Sequence, residues 1–373
     1  MKVKIQKNQI LDVLSKIQGL TNRRSSLAIT ECILISTTED GIQIVATDLE
    51  TGYEGTFEAG IDVPGSIAIN ARNFYEIVRE FSSTEISIEE RDNRIIDITN
   101  PTVEYHLKGM HPDDFPETPT IEEIDFFDME AKGLKKMIDT CTVIYGVGED
   151  RKAHINGVSF ERLTDLPTKL VRMVSTDGGR LCKYDLSLTE GSEIVAGESI
   201  LVPKKGLHEV SKFLDSGATV QVGIKDSYFV VQKATEKIYI RLLEGQFPEY
   251  EALINREGGN LVEVEKALLL DMLKRMSILC DNDYRAAIFT FDTDQLLINA
   301  THPDSGESKE NIDIEYRGER IETAFNPKYF IDSINCIDEA KMIINILSKD
   351  KACLIEGSKD KAYLSVIMPM ELK

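Results

Sequence analysis

Residues 70–81, NARNFYEIVREF, belong to a stretch that recurs twice further along the chain. Residues 202–214 read VPKKGLHEVSKFL, and residues 326–337 read NPKYFIDSINCI. One basic residue falls in register in all three copies: Arg72, Lys204 and Lys328. An apolar residue follows each of them six positions later. The offsets of 132 and 124 residues, in a chain of 373, predict three copies of a whole domain rather than a solenoid of small units.

The same order of elements is predicted around each copy. Residues 5–18 place apolar side chains at helical spacing, and an Asp-Gly turn joins strand-like runs at 31–38 and 42–48. A corresponding helix is predicted to open each later third, at 133–145 and at 266–279. Runs of antiparallel strands with few helices favour an α+β fold over a doubly wound parallel sheet.

Two segments with the composition of joints separate the thirds. Residues 111–126 and 244–254 both contain Phe-Pro followed by acidic residues, and the first is rich in proline, as is typical of a linker. We therefore predict three similar domains, at residues 1–125, 126–254 and 255–373.

The composition is that of an ordinary globular protein, with 42% hydrophobic residues. No window approaches the ~18 apolar residues that a membrane helix needs, and the first residues lack the apolar core of a signal peptide. The six cysteines are scattered without a Cys-x-x-Cys pair. We expect a cytoplasmic protein with reduced core thiols and no metal site.

The charge is unevenly distributed. A net charge of −21 argues against nucleic acid, which usually calls for a basic domain. Yet the six predicted repeat helices together carry +8, so the remainder of the chain carries −29. Each helix could simply present a solvated face. If the helices share one surface, that surface attracts double-stranded DNA through its phosphates, weakly and without sequence preference.

Catalytic and nucleotide-binding motifs are absent. The sequence contains no phosphate-binding loop and no Gly-x-Ser-x-Gly, and its five histidines form no His-x-x-x-His pair. Asp48 and Asp177 recur at equivalent strand ends, which predicts a role in turns, because an enzyme needs one site rather than one per repeat. We expect no enzymatic activity and no cofactor. Two alternatives stay open: an enzyme with its site at a domain junction, and a monomeric interaction scaffold.

Four short motifs, in order along the repeats, resemble a known family. They are ATDLE at 46–50, TDGGRL at 176–181, FPEY at 247–250 and IMPMEL at 367–372. With the threefold repeat, they resemble the bacterial sliding clamps, the beta subunits of DNA polymerase III, over the whole chain. The resemblance implies the DNA-clamp fold and a head-to-tail homodimer ring whose helices encircle duplex DNA. It also implies a nucleoid-associated processivity factor that binds the replicative polymerase, the clamp loader and other proteins with a clamp-binding motif.

The resemblance further implies a groove for partner peptides between the second and third domains. Its matched residues are Ile155, Thr176, Gly178, Arg180, Leu181, Pro248, Leu253, Asn326, Tyr329, Val366, Met368, Pro369 and Met370. Aliphatic and methionine walls suit an extended apolar peptide. Gly179, Glu251 and Ala252 depart from the family pattern, so we expect an altered motif preference.

The remaining site predictions concern DNA and the ring seam. By resemblance, two DNA-contacting loops hold Arg23, Arg24, Lys152 and His154. The basic helices add Arg72, Arg79, Lys135, Lys136, Lys204, Lys205, Lys212, Lys274 and Arg275. The seam between subunits would join Tyr105 and Leu107 of the first domain to Ile278 and Leu279 of the third.

Overall fold

A computed structural model describes residues 1–21, 27–144, 153–164, 167–188, 194, 197–214, 219–280 and 285–371. The first third holds β1 (Lys2–Gln6), α1 (Lys7–Thr21), β2 (Cys32–Thr37), β3 (Gly41–Thr47), β4 (Thr51–Glu58), β5 (Gly60–Val63), β6 (Ser66–Asn70), α2 (Ala71–Glu80), β7 (Glu85–Glu90), β8 (Ile95–Thr99) and β9 (Glu104–Lys108).

The second third holds β10 (Phe126–Glu130), α3 (Ala131–Cys141), α4 (Ala153–Asn156), β11 (Gly157–Leu163), β12 (Leu170–Thr176), β13 (Arg180–Ser187), β14 (Gly197–Pro203), α5 (Lys204–Phe213), β15 (Thr219–Lys225), β16 (Tyr228–Lys233) and β17 (Glu236–Arg241). The last third holds β18 (Asn260–Glu265), α6 (Lys266–Met276), β19 (Ala287–Asp292), β20 (Gln295–His302), β21 (Gly306–Asp313), β22 (Ile321–Phe325), α7 (Pro327–Asn335), β23 (Lys341–Ile346), β24 (Cys353–Gly357) and β25 (Tyr363–Ile367).

The backbone groups into two compact units. Among the described residues, the first unit comprises Met1–Lys135 and Val202–Leu242. It contains a five-stranded sheet in the order β5-β1-β7-β8-β9 and an eight-stranded sheet in the order β10-β15-β16-β17-β4-β3-β2-β6. Helix α1 packs against α2 and α5 in this unit.

The second unit comprises the described parts of Lys136–Leu188, Ile194–Leu201 and Leu243–Lys373. Its eight-stranded sheet runs β14-β11-β12-β13-β25-β24-β23-β18, and its four-stranded sheet runs β21-β20-β19-β22. The second third of the chain therefore contributes to both units, because its strands pair partly with β4 and partly with β25. The boundaries predicted near residues 125 and 254 stay a prediction.

The α+β class predicted from the sequence is confirmed, since helices accompany sheets whose described strand pairs are antiparallel. The three recurrent stretches form α2, α5 and α7. In α2, the side chain of Asn70 caps the helix by accepting a hydrogen bond from the backbone N–H of Asn73 at 3.0 Å. Phe74 and Val78 of this helix are fully buried, so the repeated apolar positions form its core face.

A helix that spans a membrane must be long and almost continuously apolar. None of the helices in the described part of the chain is long and apolar enough to cross a bilayer.

Candidate peptide groove and DNA-contacting residues

The turn between β12 and β13 fixes the most constrained charged side chain of the predicted groove. One carboxylate oxygen of Asp177 accepts hydrogen bonds from the backbone N–H groups of Gly179 and Arg180, both at 3.0 Å. The Arg180 guanidinium donates to Asp177 at 3.0 Å and to Asp332 on α7 at 2.7 Å. Burial opposes the charge of Arg180, but the hydrogen bonds to both carboxylates raise its pKa.

Tyr329 of α7 lies against the Arg180 side chain at this turn. The Arg180 guanidinium carbon lies 4.3 Å from the centre of the Tyr329 ring, which is a cation–π contact. A Cβ added at Gly179 would lie 3.2 Å from Cε2 of Tyr329, so the ring leans over this glycine. Asn326 caps the start of α7, where its side chain accepts from the backbone N–H of Lys328 at 3.0 Å.

The run that follows β25 is attached on both sides by its backbone. Within the sheet, Leu181 of β13 lies opposite Val366 of β25. The N–H of Met368 then donates to the carbonyl of Gly179 at 2.9 Å, and the N–H of Met370 donates to that of Ala324 at 2.8 Å. The side chains at 368–370 stay half-buried, so two methionines and a proline line this surface.

The segment 247–254 lies on the same unit beside β11 and β13. Buried Tyr250 packs with Leu181, Val366 and neighbouring apolar residues, and its hydroxyl donates to Glu161 at 2.9 Å. Pro248 and Leu253 remain exposed, Leu253 to 39%. Tyr250 therefore acts as the anchor that positions the exposed residues of this segment.

The structure brings most of the predicted groove residues to one corner of the second unit. Those linked there by the described contacts are Thr176, Gly178, Arg180, Leu181, Asn326, Tyr329, Val366, Met368 and Met370. Ile155 lies on α4, which packs against β11 and β12. Leu181 and Val366 are buried, so they support the surface rather than form it.

The cations predicted to contact DNA are mostly paired with carboxylates. Pairs between neighbouring side chains of one helix or its end are Arg72–Glu76, Arg79–Glu80, Lys212–Glu209 and Lys274–Asp271. Pairs that reach a loop, strand or neighbouring segment are Lys205–Asp48, Lys205–Glu50, Lys136–Asp338 and Arg275–Glu310. Sequence reasoning missed the second group, because residues that meet only in the fold leave no local signal.

Two of these cations differ from the expectation of a free surface charge. Lys204 is only 4% exposed. Lys135 donates to the backbone carbonyl of Ser211 at 2.6 Å and to its hydroxyl at 2.8 Å, which joins α3 to α5. His154 is half-buried on α4. Arg23, Arg24 and Lys152 lie outside the described residues.

Of the four predicted seam residues, Tyr105 and Ile278 are exposed, and Leu107 and Leu279 are half-buried. Tyr105 and Leu107 are on β9, the edge strand of the five-stranded sheet, and Tyr105 is 40% exposed. Ile278 and Leu279 follow α6 in a single 3-10 turn, Ser277–Leu279. Ile278 is 79% exposed, the largest exposure among the large hydrophobic side chains of the described residues.

One group of side chains has the spacing to hold a metal ion, among the residues that the structure describes. It consists of Asp97, Glu104 and His106 on β8 and β9. His106 Nδ1 lies 2.6 Å from Asp97, and the Arg91 guanidinium pairs with both Asp97 and Glu104. The Arg91 guanidinium thus already offsets one of these two negative charges.

Comparison with known proteins gives consistent matches along the chain. Three family models of the DNA polymerase III beta subunit match this chain. The model of the N-terminal domain matches residues 1–119, that of the central domain matches 128–249, and that of the C-terminal domain matches 251–371. The chain is 25% identical over 372 residues to the beta sliding clamp of Chlamydia pneumoniae, covering 100% of this chain and 99% of the relative. It is 26% identical over 378 residues to that of Haemophilus influenzae, with 100% of each covered.

A solved structure shares the fold over the full length. The DNA polymerase III subunit beta from Pseudomonas aeruginosa superimposes with a TM-score of 0.92 at 23% identity, with 100% of both chains covered.

Proposed function

Because this chain belongs to the DNA polymerase III beta subunit family, we propose that it works as a sliding clamp through a peptide groove, a DNA-facing helix set and a subunit seam. The family is that of the non-catalytic processivity factors that bind DNA, dimerise and tether the replicative polymerase and the clamp loader. The match of all three domains of one protein, in order, carries the proposal.

The groove we propose lies where the run 368–370 meets Tyr329 and the β12–β13 turn. Backbone hydrogen bonds attach this run to Gly179 and to Ala324, so the two methionine side chains remain available on a fixed backbone. Methionine adapts to different apolar partners because it is unbranched and polarisable. An extended peptide with aliphatic or aromatic side chains fits this chemistry.

A terminal deletion tests the groove. Removing residues 368–373 should abolish stimulation of the replicative polymerase, while dimerisation, measured by sedimentation, should persist. The matched control shortens the chain only by residues 372–373, beyond the attached run. Unimpaired stimulation by the longer deletion would exclude this groove.

The subunit seam we propose joins two sheet edges of different subunits head to tail. Strand β9 ends one sheet and β21 ends another, and an unpaired strand edge is a template for pairing with a second chain. Exposed Tyr105 near one edge and Ile278 near the other supply apolar area. A heterologous contact of this kind gives a closed ring when the rotation closes after two subunits.

Retention on DNA tests the ring. The protein is loaded onto nicked circular DNA with a clamp loader and ATP, and half the sample is linearised before sizing in high salt. We expect the circle to retain the protein and the linear DNA to lose it, because the link is topological. Loss from both, with a control clamp retained, would contradict the ring.

A cytoplasmic, nucleoid-associated location follows from binding chromosomal DNA.

A further inference from the structure

Arg162, near the end of β11, has no counter-charge among the residues that the structure describes. It is half-buried, its Nε atom is buried without a hydrogen-bond partner, and no ion pair to it occurs among the described residues. Its guanidinium lies over Gly197 of β14, so closely that a Cβ there would be 1.8 Å from Nη2. Burial lowers the pKa of Arg162, and no carboxylate of the described residues offsets that effect.

A cleft of about 290 Å³ opens beside this side chain. Arg162, Gly197 and Ser199 line one part, and the segment Phe247, Pro248 and Glu249 lines another. All of these residues belong to the second unit. Pro248, which is exposed, is also one of the residues that we assign to the peptide groove, so the cleft and the groove share a lining residue.

The carboxylates of the cleft have other partners. Glu161 accepts from the Tyr250 hydroxyl at 2.9 Å and from Ser159 at 3.1 Å. Glu251 accepts from the backbone N–H of Tyr250 at 3.1 Å. Of the lining glutamates, Glu249 alone has no described hydrogen bond, and it is exposed at the rim. Arg162 is therefore the half-buried cation of the cleft that still lacks a partner of opposite charge among the described residues.

We propose that Arg162 is a specificity residue that binds an acidic side chain of a partner peptide, adjacent to its apolar motif. The proposal rests on the peptide groove proposed above. An arginine and a carboxylate form paired, charge-assisted hydrogen bonds, which would give this guanidinium a counter-charge.

A tethered carboxylate suits this position better than a free anion. A single half-buried arginine in a chain of net charge −21 attracts free anions only weakly. A carboxylate on a peptide already seated in the groove meets Arg162 at a high effective concentration. The ligand that we assign is thus aspartate or glutamate within a peptide, not inorganic phosphate.

A double-mutant cycle on the full chain tests the assignment. The probes are a labelled peptide, Gly-Gly-Asp-Ser-Leu-Leu-Leu-Phe-Asp-Gly-Gly, and the same peptide with both aspartates replaced by asparagine. Wild type should bind the aspartate peptide about tenfold more tightly by fluorescence anisotropy. In Arg162→Gln that advantage should vanish while the asparagine peptide binds as before. Gly197→Ala should act likewise, because the new Cβ expels the guanidinium.

The controls separate the possible failures. Arg317→Gln removes an exposed arginine of the same unit and should keep the full advantage. If neither peptide binds wild type, the groove itself is wrong and this assignment falls with it. If both bind equally, only the Arg162 assignment is overturned. Titration of inorganic phosphate alone provides the last arm, and Arg162-dependent binding of phosphate as tight as the peptide's would overturn the peptide assignment.

Discussion

At the scale of single residues, the structure explains why the aspartates recur. Asp48 accepts from the backbone N–H groups of Glu50 and Thr51, as Asp177 does from Gly179 and Arg180. Both are turn residues, which confirms the structural role predicted from their repetition. Their cationic partners differ, however: Asp48 pairs with Lys205, and Asp177 pairs with Arg180. The sequence could not predict that Asp332 is the second partner of Arg180, since the two residues lie 152 positions apart in the chain.

The first residue-scale prediction concerns Asp332→Asn. Arg180 would lose one of its two charged partners, and with it part of the restraint that holds it over Tyr329. Because the Asp332 side chain is 40% exposed, we expect a stability loss of at most about 1 kcal/mol but a severalfold weaker binding of apolar groove peptides. Asp338→Asn, which removes the partner of Lys136, is the control. Equal peptide binding by wild type and Asp332→Asn would contradict the role of Arg180 in the groove.

The second residue-scale prediction concerns Asp185, which forms ion pairs with two cations on the same sheet. Arg172 donates to it at 2.7 Å, and Lys183, 3% exposed, donates at 2.5 Å. Burial opposes the charge, but hydrogen bonds from Arg172 and Lys183 lower the pKa of Asp185 below its ordinary 3.8. A depressed folded-state pKa stabilises the fold above the ordinary value, and that stability is lost as the pH falls through the folded value.

Asp185→Asn should therefore lower the stability by about 2–3 kcal/mol at neutral pH, since it leaves both cations unpaired. The midpoint of urea unfolding would be measured from pH 7 down to pH 3. The difference from wild type should shrink below about pH 4. Asp350→Asn, on an exposed turn, should differ little from wild type at any pH. A difference that stays constant with pH would mean that ionisation of Asp185 does not stabilise the sheet.

At the scale of elements, periodicity predicted the helices well. Helices α2, α5 and α7 lie within the three recurrent stretches, and the Asp-Gly hairpin between β2 and β3 is confirmed. Strand partners were beyond prediction, because β17 pairs with β4 through Ile238 and Tyr53, far apart in the chain. The same limit applies to the groove: the FPEY motif contains Tyr250, but the sequence does not show that this side chain is the buried anchor.

An element-scale prediction follows from the apolar turn after α6. Substituting both Ile278 and Leu279 with aspartate should give monomers in analytical ultracentrifugation, because burying two charges without partners at a seam is costly. The isolated chain should stay folded, since Ile278 is 79% exposed. Leu261→Asp, at a residue 65% exposed elsewhere in the same unit, should leave the dimer intact. A stable dimer of the double variant would place the seam elsewhere.

At the scale of the whole molecule, charge placement matters more than the net charge of −21. The helix cations are present as predicted from the sequence, but carboxylates nearby partly neutralise them. Exposed ion pairs of this kind contribute little, about 0–1 kcal/mol each, so phosphates can replace their carboxylates at small cost. Weak binding to DNA suits a protein that must slide, provided that the ring supplies the retention.

The last prediction separates these two contributions. Replacing Arg72, Lys136 and Lys274 with glutamine removes three cations assigned to DNA, while the control replaces Lys349, Lys351 and Lys359, which are exposed outside the helices. For short linear duplex, the slope of log K against log salt should fall in magnitude by about 0.9 for each phosphate that the variant no longer neutralises, and the control should match wild type. Retention on loaded circular DNA in high salt should remain unchanged in both variants, because a topological link does not depend on ion pairs. Loss of retention with the first set alone would mean that charge, rather than closure, holds the protein on DNA.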